Sequence, residues 1–196
     1  VYVNGIDMGQ SISCYTPIDF KVTNALKFGA ENEILIRVGE RIWLPPQAAG
    51  STDKEKVNYI PGIWDDVYVS FSGKQKLMKS LVLPSVKEKK ITVKMLVRSF
   101  YPQQVMYGDP MTDSVKAEVI IREKVSGKEV AKGNIAGVVT RDNETQVSLE
   151  IPTKDFNQWS PEKPFLYSAE IRLFDGEKFS DVVTKNFGMR DFERKG

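Results

Sequence analysis

The sequence predicts an all-β protein. Three features carry that expectation. Apolar and polar residues alternate with a period of two through most of the chain, turn-forming pairs recur between these stretches, and helix-like patterning is confined to Asn24 to Gly29, with Gly29 as its stop. The 196 residues, 41% hydrophobic and 28% charged, suffice for one or two folded domains and argue against disorder.

In the N-terminal part, Val1 to Val3 reads as a strand that meets Asn4-Gly5. That pair most readily takes the positive φ angles of a two-residue hairpin turn. Ile34, Ile36 and Val38 share one face of a second strand, with Glu33, Leu35 and Arg37 on the other. After a Pro61-Gly62 turn, Ile63, Val67, Val69 and Phe71 fall on one face of a third, and Trp64, Asp66, Tyr68 and Ser70 on the other.

From about Lys74 the strands become regularly spaced. They are expected at Ser80 to Leu83, Ile91 to Val97, Val115 to Glu123, Glu129 to Lys132, Gln146 to Ile151, Phe165 to Phe174 and Phe179 to Phe187. About seven short strands over roughly 115 residues suit an immunoglobulin-like sandwich. SGKQK, Ser72 to Lys76, reads as the connection, which places the domains at 1–73 and 74–196. In WSPEKPFLY, Trp159 to Tyr167, Pro161 and Pro164 fix φ and remove two backbone donors. The segment should therefore cross an open face as an extended bridge, with Trp159 capping the core. No chemistry is expected of Trp159 or Glu162.

Composition excludes several function classes. Histidine is absent and Cys14 is the one cysteine, so a Ser-His-Asp triad, a Cys-His dyad, a His-rich zinc site, a four-thiolate site and an internal disulfide are all impossible. No catalytic residue, metal or cofactor is expected. A net charge of +2 and the short KEKK run at Lys87 to Lys90 give no broad basic field, so nucleic acid is not an expected partner. Neither is a membrane, because no apolar run approaches the roughly 18 residues of a spanning helix. A single cysteine suits a cytoplasmic, periplasmic or secreted address.

One region stands out as a candidate functional loop: the long connection from Arg41 to Asp66, with Trp43, Pro45-Pro46 and a polar run from Ser51 to Asn58. Loops of this length between paired strands are more often functional than shorter ones. Asp53, Glu55, Lys56 and Tyr59 are its candidate substrate-binding residues. Asp65 and Asp66 are not a catalytic pair, since adjacent strand residues point to opposite faces.

Several motifs together resemble glycoside hydrolase family 2. They are VYVNG at Val1 to Gly5, YTPIDFKVTNALKFGAENEILIRV at Tyr15 to Val38, YIPGIWDDVYVSF at Tyr59 to Phe71, WSPEKPFLY, and FGMRDFE at Phe187 to Glu193. The resemblance implies the later half of that family's jelly-roll-like, galactose-binding-like sandwich, followed by its immunoglobulin-like domain. It implies retaining hydrolysis of a β-glycoside or oligosaccharide by the complete enzyme, β-galactosidase first, with both glutamates in a barrel outside this chain. The family commonly has an acid where Lys56 stands, six residues before Gly62, and a His-x-Gly-Gly-Tyr-Thr pattern where this chain has SISCYT, Ser11 to Thr16. The alternative is a carbohydrate-binding or adhesion module of two sandwiches without activity. A jelly roll has about eight strands, whereas Val1 to Phe71 supplies about four or five, so the partial sandwich is expected to form a homodimer.

Overall fold

The structure, a computed structural model, describes residues 1–12, 16–39, 62–100 and 111–192. Contacts divide the chain into two units, Val1–Val69 and Ser70–Gly196. The described secondary structure is almost wholly strand.

In the first unit, β1 (Tyr2–Val3), β2 (Ile6–Asp7) and β3 (Ile34–Leu35) form a small antiparallel sheet in the order β2-β1-β3. The Asn4-Gly5 turn is as expected: Val3 pairs with Ile6, and the turn residues have φ of 51° and 79°. Asn4 does more than turn the chain. Its side-chain amide donates to Ala25 O and Asn32 Oδ1, and its Oδ1 accepts from the Glu33 N–H. Asn32 in turn accepts from the Lys27 N–H and donates to Lys27 O and Ala30 O. The expected helix stretch reduces to a 3-10 turn, Thr23–Ala25, and Gly29 follows with φ of 74°.

Two expectations for this unit need correction. Of the strand carrying Ile34, Ile36 and Val38, only Ile34 and Leu35 pair, and both are exposed. Residues 62–71 form no strand, and Ile63, Val67, Tyr68, Val69 and Phe71 are all exposed. A period-two pattern specifies which residues could share a face. It does not supply the second sheet needed to bury that face.

The described residues of the second unit form a two-sheet sandwich of seven strands: β4 (Gln75–Ser85), β5 (Lys90–Ser99), β6 (Thr112–Glu123), β7 (Glu129–Thr140), β8 (Glu144–Pro152), β9 (Tyr167–Asp175) and β10 (Lys178–Phe187). One sheet has the order β10-β9-β6-β7 and the other β4-β5-β8, with every pairing antiparallel. Alternate residues face inward, as the pleat requires. Ile91, Val93, Met95 and Val97 on β5 meet Val115, Ala117, Val119 and Ile121 on β6 and Ala169, Ile171 and Leu173 on β9 in one core.

Two local features close the sandwich. β4 and β10 each carry a bulge, between Leu77 and Lys79 and between Phe179 and Asp181. There Ser180 Oγ accepts from Gln75 N–H and donates to Gln75 O, while Asp181 accepts from Leu77 N–H. The SGKQK segment is therefore no free linker, since Gly73 N–H bonds to Ser180 O and Gln75, fully buried, begins β4. β7 runs eight residues beyond its expected end at Lys132, to Thr140. Within it, a Cβ added at Gly133 would lie 2.9 Å from Ile151 Cγ1. The glycine lets β7 pass close to β8.

Candidate functional site

Asp53, Glu55, Lys56 and Tyr59 lie outside the described residues, as do Cys14 and most of the 41–66 connection. Asp65 and Asp66 are described and exposed, and Asp65 accepts a hydrogen bond from the Asp66 N–H at 2.8 Å. They bond locally, and the strand on which they were expected is not formed. Beside the Asn4 network, Lys27, Glu31, Asn32 and Glu33 line a shallow polar depression of about 390 Å³.

In the second unit the chemistry gathers in two places. The first is at one end of the sandwich, where β5 ends and β6 begins. Asp113 Oδ1 accepts from Lys74 Nζ at 2.8 Å and from Arg141 Nε and Nη2 at 3.1 and 3.0 Å, and its Oδ2 accepts from Ser99 Oγ at 2.7 Å. Burial pushes the carboxyl up, but bonds from Arg141, Lys74 and Ser99 outweigh it and hold the pKa at about 2. Both oxygens are committed, so Asp113 is a fixed anion and has no capacity for proton transfer near neutral pH.

The second is the corner between WSPEKPFLY and the end of β10. Tyr167, buried at the start of β9, packs its ring at a tilt against Phe156, Phe165 and Phe187, and its hydroxyl accepts the Asn157 N–H at 2.8 Å. This is the geometry of a tyrosine corner. Trp159 does not cap the core as expected. It lies over Gly188, where an added Cβ would come within 2.7 Å of its own, and its N–H bonds to Met189 O. The proline-rich bridge is not extended throughout as expected: Ser160 and Lys163 close a turn in it, their main chains exchanging hydrogen bonds of 3.1 Å. The Glu162 carboxyl is held below the usual range by its own backbone N–H and the Ser160 hydroxyl, which fits a turn-bonding role. Asp191, inside FGMRDFE, accepts from Val86 and Lys87 N–H at 2.9 Å each. Nothing in the local pattern marked the Asp113 or Asp191 partners, which stand 14 to 105 residues away.

Among the described residues, no three His, Cys, Asp or Glu side chains gather as a metal site. Three carboxylates of the larger sheet form an ion-pair ladder, Glu118–Arg172–Glu170–Arg122–Glu129. Neutralised on an open face, they are not a facing pair for glycoside chemistry.

The profile described as Glycosyl hydrolases family 2 matches residues 82–190, covering β5 to β10 and the tyrosine corner. The chain belongs to glycosyl hydrolase family 2. Its similarity to proteins named beta-galactosidase runs along nearly the whole sequence: 26% identity to that of Thermoanaerobacter pseudethanolicus over 98% of this chain, and 28% to that of Leuconostoc mesenteroides over 100%. The chain spans only 24% and 18% of the length of these two relatives. Among solved structures, the Bacteroides uniformis beta-glucuronidase shares the fold with a TM-score of 0.70 at 18% identity, over 98% of this chain and 23% of that one. A family 2 member from Bacteroides cellulosilyticus does so with 0.69 at 19%, over 97% and 24%. The family 2 fold thus accounts for the β-sandwich and for the motifs at its end.

Proposed function

We propose that this chain is a non-catalytic accessory region of a family 2 β-galactosidase that hydrolyses β-glycosides with retention. The observation that carries the reading is the similarity to β-galactosidases over nearly its full length. The described residues supply scaffolding. Asp113 is neutralised in place, Glu118, Glu170 and Glu129 form an ion-pair ladder, and Asp191 bonds a turn. The catalytic glutamates belong to the rest of the enzyme, and Asp53, Glu55, Lys56 and Tyr59 are proposed to line its substrate site. Purified chain should hydrolyse nitrophenyl β-galactoside, β-mannoside and β-glucuronide no faster than background. Turnover that co-purifies with the chain through removal of host glycosidases would overturn the assignment. Sequencing the locus past Gly196 tests the larger claim, which requires an in-frame barrel with two strand-end glutamates.

We further infer that the isolated chain self-associates through the first unit. Ile63, Val67, Tyr68 and Val69 are exposed on unpaired backbone. Covering on the order of 600 Å² of apolar surface yields roughly 15 kcal/mol at about 25 cal/mol per Å², against an association cost of about 4–15 kcal/mol. A second copy offers the same surface and forms a symmetric contact. Sedimentation at micromolar concentration should show twice the 22.2 kDa chain mass, and a Val67→Lys/Tyr68→Lys variant should sediment as one chain. A monomeric parent chain would refute this.

A further inference from the structure

The segment that follows β10 is held at three successive residues by three different interactions. Met189 O accepts the Trp159 N–H at 2.9 Å, within a parallel bridge to Gln158. The Arg190 guanidinium lies 5.3 Å from the Trp159 ring centroid and 5.1 Å from that of Phe192. Asp191 places one carboxylate oxygen on the Val86 N–H and the other on the Lys87 N–H. Those two amides open the turn between β4 and β5, a turn already braced by Lys89 N–H to Val86 O and by Glu88 N–H to Ser85 Oγ.

A half-buried carboxylate that spans two consecutive amides more than a hundred residues away has a geometric consequence. With Met189 fixed to the Trp159 segment and Asp191 fixed to the β4–β5 turn, the main chain between them can take only one heading. We propose that Asp191 is a positioning residue, a carboxylate latch that sets the direction in which residues 187–192 leave the sandwich and that opens when the carboxylate is protonated. In the enzyme proposed above this segment leads towards the catalytic domain, but the latch stands on local geometry and is tested without that reading.

The charges around Asp191 suit a latch that is closed at neutral pH. Lys87 on the turn and Arg190 beside it are the nearby cations, and Glu162 on the bridge faces Arg190. Glu88, which lines the same shallow depression as Asp191, is engaged by Lys90 at 2.8 Å and does not contest the amides. Bonds from Lys87 N–H, Val86 N–H and the Ser85 hydroxyl hold the Asp191 carboxyl below the usual carboxylate range. A depressed carboxyl holds its bonds above its ordinary value of about 3.9 and loses them as pH falls through the lowered one.

Amide exchange and a pH titration of the 196-residue chain by ¹H–¹⁵N NMR test the latch. In Asp191→Ala, exchange at Val86 and Lys87 should rise by about tenfold, the scale of a lost charge-assisted hydrogen bond, with Ile121 and Ile171 unchanged. Asp191→Asn should keep one amide protected and lose the acid response. In the parent chain the Val86 and Lys87 amide resonances should titrate together, with a midpoint below about 3.9. Equal exchange in parent and Asp191→Ala chains would overturn the proposal. So would the absence of a shared low midpoint, which decides the matter even if the variants fail to fold.

Discussion

Replacing Asp113 with alanine should destabilise the Ser70–Gly196 sandwich by about 3–5 kcal/mol, the range for removing one partner of a buried ion pair. Arg141 donates through two nitrogens to this carboxylate and its side chain is only 10% exposed. Without Asp113 its charge, with that of Lys74, stays at the end of the sandwich and loses this counter-charge. For a domain of this size the midpoint of thermal unfolding should fall by roughly 10–20 °C. Circular dichroism melts of parent and variant measure it, and a loss under about 1 kcal/mol would show that the cluster is incidental. The same carboxylate sets an acid limit. Its folded pKa of about 2 lies below the ordinary value, so its contribution is complete above about pH 4–5 and disappears as pH falls towards 2. That difference corresponds to about 2 kcal/mol, and it should be missing from the acid titration of the Asp113→Ala chain.

Tyr167→Ala should cost a similar amount, about 3–5 kcal/mol, by opening a cavity among Phe156, Phe165 and Phe187. Tyr167→Phe separates the two roles of the side chain. It keeps the ring and removes only the acceptor for the Asn157 N–H, so its cost should be about 1 kcal/mol. Denaturant titration of the three chains should rank them parent, Phe, Ala. Equal losses in both variants would mean that the hydroxyl, and not the ring packing, holds the corner.

The seven sandwich strands were legible because each is long and half-buried, so its inward residues repeat every second position whatever the distant contacts are. Ile91 to Val97 and Phe165 to Phe174 needed no tertiary information to be read as strands. The Asn4-Gly5 hairpin was equally local, since those two residue types tolerate the positive φ of the turn. The motifs WSPEKPFLY and FGMRDFE pointed to the family, and the family profile covers the first motif and the opening FGMR of the second. Their physical work was less visible. Trp159 was expected over the core and lies over Gly188, because the close approach of two backbones is a property of the pair and not of either residue.

Local pattern, then, determined the class of this protein, the order of its strands and the turns that are made within a few residues. Only the folded chain decided how far β7 runs, because Gly133 breaks a strand in isolation and admits one against Ile151. Only the folded chain brought Lys74 and Arg141 to Asp113, and Asp191 to the Val86 and Lys87 amides. The physical reason is reach. Backbone dihedrals and side-chain alternation are set by near neighbours, whereas a charge or a glycine takes its meaning from whatever the fold places within a few ångströms of it.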